Sequence, residues 1–179
     1  MNKEKVNWEG LGKNWSIDNK CFSTILEILP KGKTILELGS GFGSNELGKY
    51  YNIYCVEHDK YWNNKYDNIN YIYAPLKPLK DHSDIMWYDI DVLKNDLPNN
   101  YDLILIDGPP GNSSKNNDGR MGFTYNIDLF NIVDKFIIFD DLNRKKDYDN
   151  MMLFINKTNR MFKIIDSKDN TKKFGVVYP

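Results

Sequence analysis

Cysteine is scarce in this chain. Only Cys21 and Cys55 occur, too few for a disulfide framework or a cysteine-bound metal, and both read as small apolar core residues in a reducing, cytoplasmic compartment. Long apolar runs are missing too. The longest, Leu103–Ile106 and Phe136–Phe139, fall far short of the roughly 20 residues that cross a bilayer, so no membrane span is expected. The opening MNKEKVNWEGLGKNW lacks the apolar stretch of a signal peptide, and residues 1–15 are expected to form a flexible N-terminal segment. Neither sign of charge is in excess: 24 Lys plus Arg face 25 Asp plus Glu, for a net charge of −1. That balance excludes a broad electropositive face and disfavours a nucleic-acid partner. Alanine is nearly absent, with Ala74 its single instance, while asparagine, lysine, isoleucine and tyrosine abound. This is the imprint of AT-rich coding, and the Asn-rich stretches read as loops and solvated faces.

What is present suffices for one core. The 179 residues are 41% hydrophobic and 14% aromatic, which excludes wholesale disorder and fits a single domain over 1–179. Short apolar runs alternate with amphipathic segments, the pattern of a parallel sheet covered by helices on both faces. The spacing predicts helices over Asp18–Leu29, Ser44–Tyr51, Tyr61–Asn68, Thr124–Val133 and Asp147–Asn156. Strands are predicted over Thr34–Leu38, Ile53–Glu57, Tyr71–Ala74, Tyr101–Asp107 and Lys135–Asp140, with Pro75 and Pro78 breaking the third. Asp84–Asn95 is ambiguous, with a helix near its end. Phe162–Asp166 and Phe174–Tyr178 are joined by too few residues for a crossover helix and should pair antiparallel. The expected fold is α/β, a Rossmann-like, mostly parallel seven-stranded sheet ending in an antiparallel hairpin.

The sharpest local signal is Glu37-Leu38-Gly39-Ser40-Gly41-Phe42-Gly43. A strand runs into a glycine turn that opens a helix, so a ligand can approach bare backbone. Glu57 ends the next strand, where a carboxylate can accept both hydroxyls of a ribose. A dinucleotide site wants a third glycine where Ser44 stands. Glu37, just before the first glycine, instead suits the ammonium of a methionine moiety, which favours S-adenosylmethionine.

These residues, with Val56-Glu57-His58-Asp59, resemble the class I S-adenosylmethionine-dependent methyltransferases, over roughly Ser16 to Pro179. The runs Tyr101–Gly111 and Phe139–Arg144 resemble, within that superfamily, methyltransferases that modify glycans and sugars. The resemblance implies that Glu37, Gly39, Ser40, Gly41 and Gly43 line the methionine end, that Glu57 holds the ribose, and that Trp87, Tyr88 or Asp89 lies near the adenine. His58 reads as a neighbour packing against the adenosine, and His82 as a loop residue.

Ligands of open α/β sheets bind beyond the carboxyl ends of the strands. Asp107 ends one predicted central strand and Asp140–Asp141 the next, so three carboxylates should converge where a methyl group would be delivered. Such a cluster shares a proton or takes a hard cation. The trio resembles the metal site of Mg²⁺-dependent O-methyltransferases, which implies a divalent cation at Asp107, Asp140 and Asp141. The alternative is that Asp140 or Asp141 caps the next helix or pairs with Arg144. The loop Gly111–Gly122 is long for its place, and its one arginine, Arg120, either holds an anionic acceptor such as a uronate or phosphate or faces solvent. Lys145–Lys146 and Lys172–Lys173 read as solvated ends. In Asp107-Gly108-Pro109-Pro110-Gly111 a glycine follows the acid and no stacking aromatic is present, which disfavours amino methylation of a flipped base. The leading expectation is O-methylation of a small-molecule or glycan hydroxyl, with Asp107 and Arg120 as catalytic candidates. A non-catalytic S-adenosylmethionine-binding module and a base methyltransferase are the alternatives.

Overall fold

The computed structural model describes residues 6–13, 16–111, 118–167 and 172–179. Asp18 caps the first helix, α1 (Asn19–Ile28), its Oδ1 accepting from the Cys21 N–H at 2.7 Å. Cys21, Phe22 and Ile25 are buried on the inner face of that helix. Five strands are parallel: β1 (Thr34–Leu38), β2 (Asn52–Glu57), β3 (Ile69–Tyr73), β6 (Leu103–Ile106) and β7 (Phe136–Phe139). They pair in parallel in the order β3-β2-β1-β6-β7. β9 (Lys173–Val177) runs antiparallel beside β7, and β8 (Phe162–Asp166) runs antiparallel at the edge, which completes the expected seven-stranded sheet.

Both faces of this sheet are covered, which is why β6 and β7 are apolar without interruption. Alternate residues separate into two cores. Ile35, Leu103, Leu105 and Ile138 pack with Phe22 and Ile25 on one face. Leu36, Ile104, Ile106, Ile137 and Phe139 pack on the other with Met151 and Phe154 of α5 (Lys145–Thr158).

Three predicted elements differ. Residues 60–64 form turns instead of a helix, with Asn64 in the left-handed region (φ 61). The helix expected over Thr124–Val133 begins earlier and is short, α4 (Met121–Tyr125). It ends at Asn126, whose N–H divides between the Gly122 (3.1 Å) and Phe123 (3.2 Å) carbonyls, and a 3-10 turn over Ile127–Leu129 follows. The ambiguous stretch resolves into a separate hairpin, β4 (Leu76–Leu79) with β5 (His82–Tyr88), followed by α3 (Ile90–Asp96). Pro78 lies within β4, which a two-stranded ribbon tolerates because it has open edges.

The strand order reverses at β1: β2 and β3 lie to one side and β6 and β7 to the other. A crevice opens beyond the carboxyl ends at such a switch point. The short helix α2 (Phe42–Leu47) starts directly above it.

Candidate active site

The floor of the crevice is two backbones in contact. Gly39 follows β1 with φ +94, and a Cβ there would fall 2.8 Å from both Cα and N of Gly108. A Cβ on Gly108, one residue past Asp107, would fall 2.7 Å from Gly39 Cα and 2.6 Å from the Tyr88 hydroxyl. Each position therefore requires glycine, because neither backbone can retreat. Gly108 was missed as a partner of the glycine turn; its sequence signal was a glycine directly after the acid that ends a neighbouring strand.

Above these glycines is a cleft of about 210 Å³ lined by Gly39, Ser40, Glu57, His58, Tyr88 and Asp107. Glu57 Oε1 accepts from the N–H groups of His58 (2.6 Å) and Asp59 (2.7 Å), and Oε2 from that of Ser40 (2.8 Å). Its carboxylate thus ties the glycine turn to the end of β2. His58 Nδ1 lies 2.9 Å from Glu57 Oε1. Tyr88 is buried, its hydroxyl has no hydrogen-bond partner, and burial pushes it well above the ordinary tyrosine value.

The other predicted cofactor residues, Glu37, Gly41, Gly43 and Asp89, with Trp87, are not among those that line the cleft. Glu37 is 2% exposed and its Oε2 lacks a partner. Burial raises its carboxyl to about 8, with Glu57 adding to the rise and a hydrogen bond from Ser44 opposing it. The Gly41 N–H donates to Ser44 Oγ at 3.0 Å, opening α2. Gly43 makes room for the chain at Ile17, whose Cγ1 would be 2.9 Å from an added Cβ. Asp89 turns to α3, accepting from the Asp91 N–H at 3.1 Å, and pairs with Lys77 at 2.6 Å. Trp87 is fully buried against Gly122, whose added Cβ would meet its ring at 2.2 Å.

Asp107, Asp140 and Asp141 each offer an oxygen within 4.8 Å of the others. Neighbouring parallel strands β6 and β7 bring them together, and Asp141 adopts a left-handed backbone (φ 59), a conformation that collects at functional sites. The space between them holds Arg120. It is 5% exposed and donates through Nη2 to Asp107 Oδ1 (3.2 Å), to Asp141 Oδ2 (3.1 Å) and to the Asp107 carbonyl. Nη1 reaches the Asp140 carbonyl (3.3 Å) and Nε the Pro109 carbonyl (3.4 Å). The arginine expected on an acceptor loop therefore turns its donors inward. Residues 112–117 of that loop lie outside the described residues.

Two further cations join. Lys172, expected as a solvated end, reaches Asp140 Oδ2 (3.4 Å), Asp141 Oδ1 (3.3 Å) and the Ser16 carbonyl (3.0 Å). Arg144 pairs with Asp141 at 2.8 Å, the alternative expected for that acid. Burial, then Asp140, raises Asp107 well above the ordinary carboxylate range, against the pull of Arg120. Burial, then Asp141, raises Asp140. Burial also works to raise Asp141, but Arg120, Lys172 and Arg144 outweigh it and hold that carboxyl low. Asp147, on α5, was missed; burial raises it to about 6 although Arg120 and Arg144 oppose the rise.

The cluster separates two spaces. Asp107 borders the small cleft, and Asp141, with Arg144 and Lys172, borders a second cavity of about 980 Å³ that reaches Trp8 and Asp18. The first can take one end of an elongated ligand while the second receives another molecule.

No family model matches the chain, and no curated protein matches it in sequence. Solved structures do match in shape. An O-methyltransferase from Bacillus cereus in complex with SAH is 15% identical with TM-score 0.57, over 89% of this chain and 80% of that one. A putative caffeoyl-CoA O-methyltransferase from Staphylococcus aureus is 12% identical with TM-score 0.59, over 91% and 85%. A methyltransferase from Pyrococcus furiosus is 14% identical with TM-score 0.57, over 89% and 80%. The chain has the Rossmann-like fold of these methyltransferases.

Proposed function

We propose that this protein is an S-adenosylmethionine-dependent methyltransferase that acts on a hydroxyl of a sugar or polysaccharide. The observation that carries the reading is the cleft between Glu57 and Asp107, which lies over the Gly39–Gly108 contact at the switch point of the sheet. The unpartnered Tyr88 hydroxyl and Glu37 Oε2 fit the same cofactor, since a nucleoside and an ammonium supply the polar partners they lack. When bound, S-adenosylmethionine supplies a methyl carbon on a sulfonium and keeps the electrons of the broken C–S bond as a thioether.

The chain's own residues do the rest. Glu57, held by three main-chain N–H groups, presents its carboxylate to the ribose in a fixed orientation. Asp107 is the base: its side chain keeps 16% exposure at the border of the cleft, so it can touch an acceptor hydroxyl. Its raised pKa makes it a stronger base than a solvated aspartate. As the acceptor oxygen attacks the methyl carbon, the hydroxyl proton moves to Asp107. Arg120 holds Asp107 through Oδ1 and keeps it aimed. Binding in the larger cavity aligns the acceptor with the methyl carbon, and rate comes from that alignment and from exclusion of water.

Hydroxyl methylation is favoured over base methylation because no aromatic follows Asp107 in its turn. A module that only binds the cofactor has no need for an acid cluster that opens on a second cavity. The test is incubation with methyl-labelled S-adenosylmethionine and fractionated glycans, followed by mass measurement of the product. Label should enter a carbohydrate fraction as a methyl ether. Transfer only to nucleic acid, or to no acceptor while the cofactor binds tightly, overturns the assignment.

A further inference from the structure

We infer that Arg120 and Lys172 are the resident counter-cations of the Asp107–Asp140–Asp141 cluster and occupy the seat that a divalent metal would take there. The carboxylates alone have metal-like spacing, with one oxygen from each within 4.8 Å of the others. Yet four of their six oxygens already face a protein cation: Asp107 Oδ1, Asp140 Oδ2 and both oxygens of Asp141 lie within 3.4 Å of an arginine or lysine nitrogen. Arg120 Nη2 stands 3.2 Å from Asp107 Oδ1 and 3.1 Å from Asp141 Oδ2. A Mg²⁺ bridging those two oxygens would have to compete with the guanidinium nitrogen for both.

That guanidinium cannot step aside cheaply. It is 5% exposed, it cannot lose its proton, and it also donates to the carbonyls of Asp107, Pro109 and Asp140. Displacing it would leave a buried charge and three carbonyls unpaired. The charges also count against a metal. Even with every acid ionised, Asp107, Asp140, Asp141 and Asp147 bring four negative charges against the three positive ones of Arg120, Arg144 and Lys172. One unit of negative charge remains, half of what a divalent ion carries. Arg120 thus does what a bridging cation does: it ties the ends of β6 and β7 together and fixes Asp107. Two oxygens face no protein cation: Asp140 Oδ1, buried with no hydrogen-bond partner, and Asp107 Oδ2, on the side chain that borders the cleft.

This assignment concerns the cluster itself and stands apart from what the cleft binds. The test titrates Mn²⁺, which accepts the same oxygen donors, into the full chain and follows the electron paramagnetic resonance signal of the free ion. The wild-type protein should leave that signal unchanged. Arg120→Met should bind Mn²⁺ at least about tenfold more tightly than wild type, because the acids lose their counter-ion and gain an open seat. Arg120→Lys, which keeps a charge on a long side chain, should gain far less than Arg120→Met. Lys172→Met frees Asp140 Oδ2 and Asp141 Oδ1 and should gain binding in the same direction, which covers the case that Arg120→Met fails to fold. One equivalent of Mn²⁺ taken up by the wild-type chain and lost in Asp141→Asn would overturn the inference. So would folded Arg120→Met and Lys172→Met proteins that bind no more Mn²⁺ than wild type.

Discussion

Glu37 links the ligand-free protein to its proposed cofactor through a proton. Burial puts its carboxyl at about 8, so at pH 7 about nine molecules in ten carry the proton before ligand arrives. An ammonium or sulfonium nearby favours the carboxylate, and binding should expel that proton. Affinity should therefore rise with pH, by close to tenfold (about 1.3 kcal/mol) between pH 6 and 7, and level off above about pH 8. The window from pH 6 to 7 lies below the usual α-amino pKa of about 7.7–8.0, so the ligand's own ammonium stays charged. Calorimetric titration of S-adenosylhomocysteine in buffers of different ionisation enthalpy counts the protons, and about 0.9 should leave per ligand at pH 7.

Glu37→Gln keeps the shape and removes the titration, so its affinity should be flat over the same range with no proton released. The ligand-free protein supplies a second reading with the opposite sign. A carboxyl raised from 4.5 to about 8 on folding contributes stability that is complete below the lower value and lost as pH rises through the higher one. The loss is about 1.4 kcal/mol per unit within that window, so the melting temperature of Glu37→Gln should gain on wild type steadily from pH 5 to 8. Wild-type affinity that does not change between pH 6 and 7, with no proton released, would place Glu37 out of reach of any cationic ligand.

Gly39→Ala forces a side chain into the left-handed region and against the Gly108 backbone; it should lose roughly 1–3 kcal/mol of stability and all measurable cofactor affinity, and a normal melting temperature with normal binding would refute the contact floor. Asp107→Asn keeps an acceptor for Arg120, so the fold and cofactor affinity should persist while kcat falls by about a hundredfold or more. Wild-type kcat should decline toward acid with a midpoint above the ordinary aspartate range; a decline centred at an ordinary aspartate value would count against Asp107 as the base. Gly122→Ala would push a Cβ into the Trp87 ring and should destabilise by about 1–3 kcal/mol in denaturant unfolding, and an unchanged midpoint would refute that packing.

The sheet was legible because burial on both faces leaves a simple trace. Leu103–Ile106 and Phe136–Phe139 are apolar at every position, and both are central strands. The final hairpin followed from loop length alone. Where main-chain hydrogen bonding overrides periodicity, pattern reading fails. Thr124 to Val133 continues a helical spacing, yet the Asn126 N–H divides between the Gly122 and Phe123 carbonyls and the chain tightens into a 3-10 turn. The β4–β5 hairpin was obscured by Pro75 and Pro78, which signal a break in a wide sheet but are tolerated in a ribbon with two open edges.

The site divides along the same line. Residues that end strands announce themselves, since an acid or glycine after an apolar run lies at the carboxyl edge of the sheet; Glu57, Asp107, Asp140 and Asp141 were legible this way. Arg120 was singled out but not its inward partners, and Lys172 was read as a solvated end. Each sits in a polar stretch, and Arg120 is buried and Lys172 partly so because the chain returns over the ends of β6 and β7. Counting acids by sequence proximity made the cluster look in need of an external cation. The chain supplies its own from 13 residues beyond Asp107 and 31 residues beyond Asp141, separations at which no local pattern reports a contact. Carboxylate clusters at strand ends therefore have to be weighed against arginines and lysines anywhere in the chain before a metal is assigned to them, because a buried guanidinium can satisfy several oxygens at once and forbids a second cation at the same place.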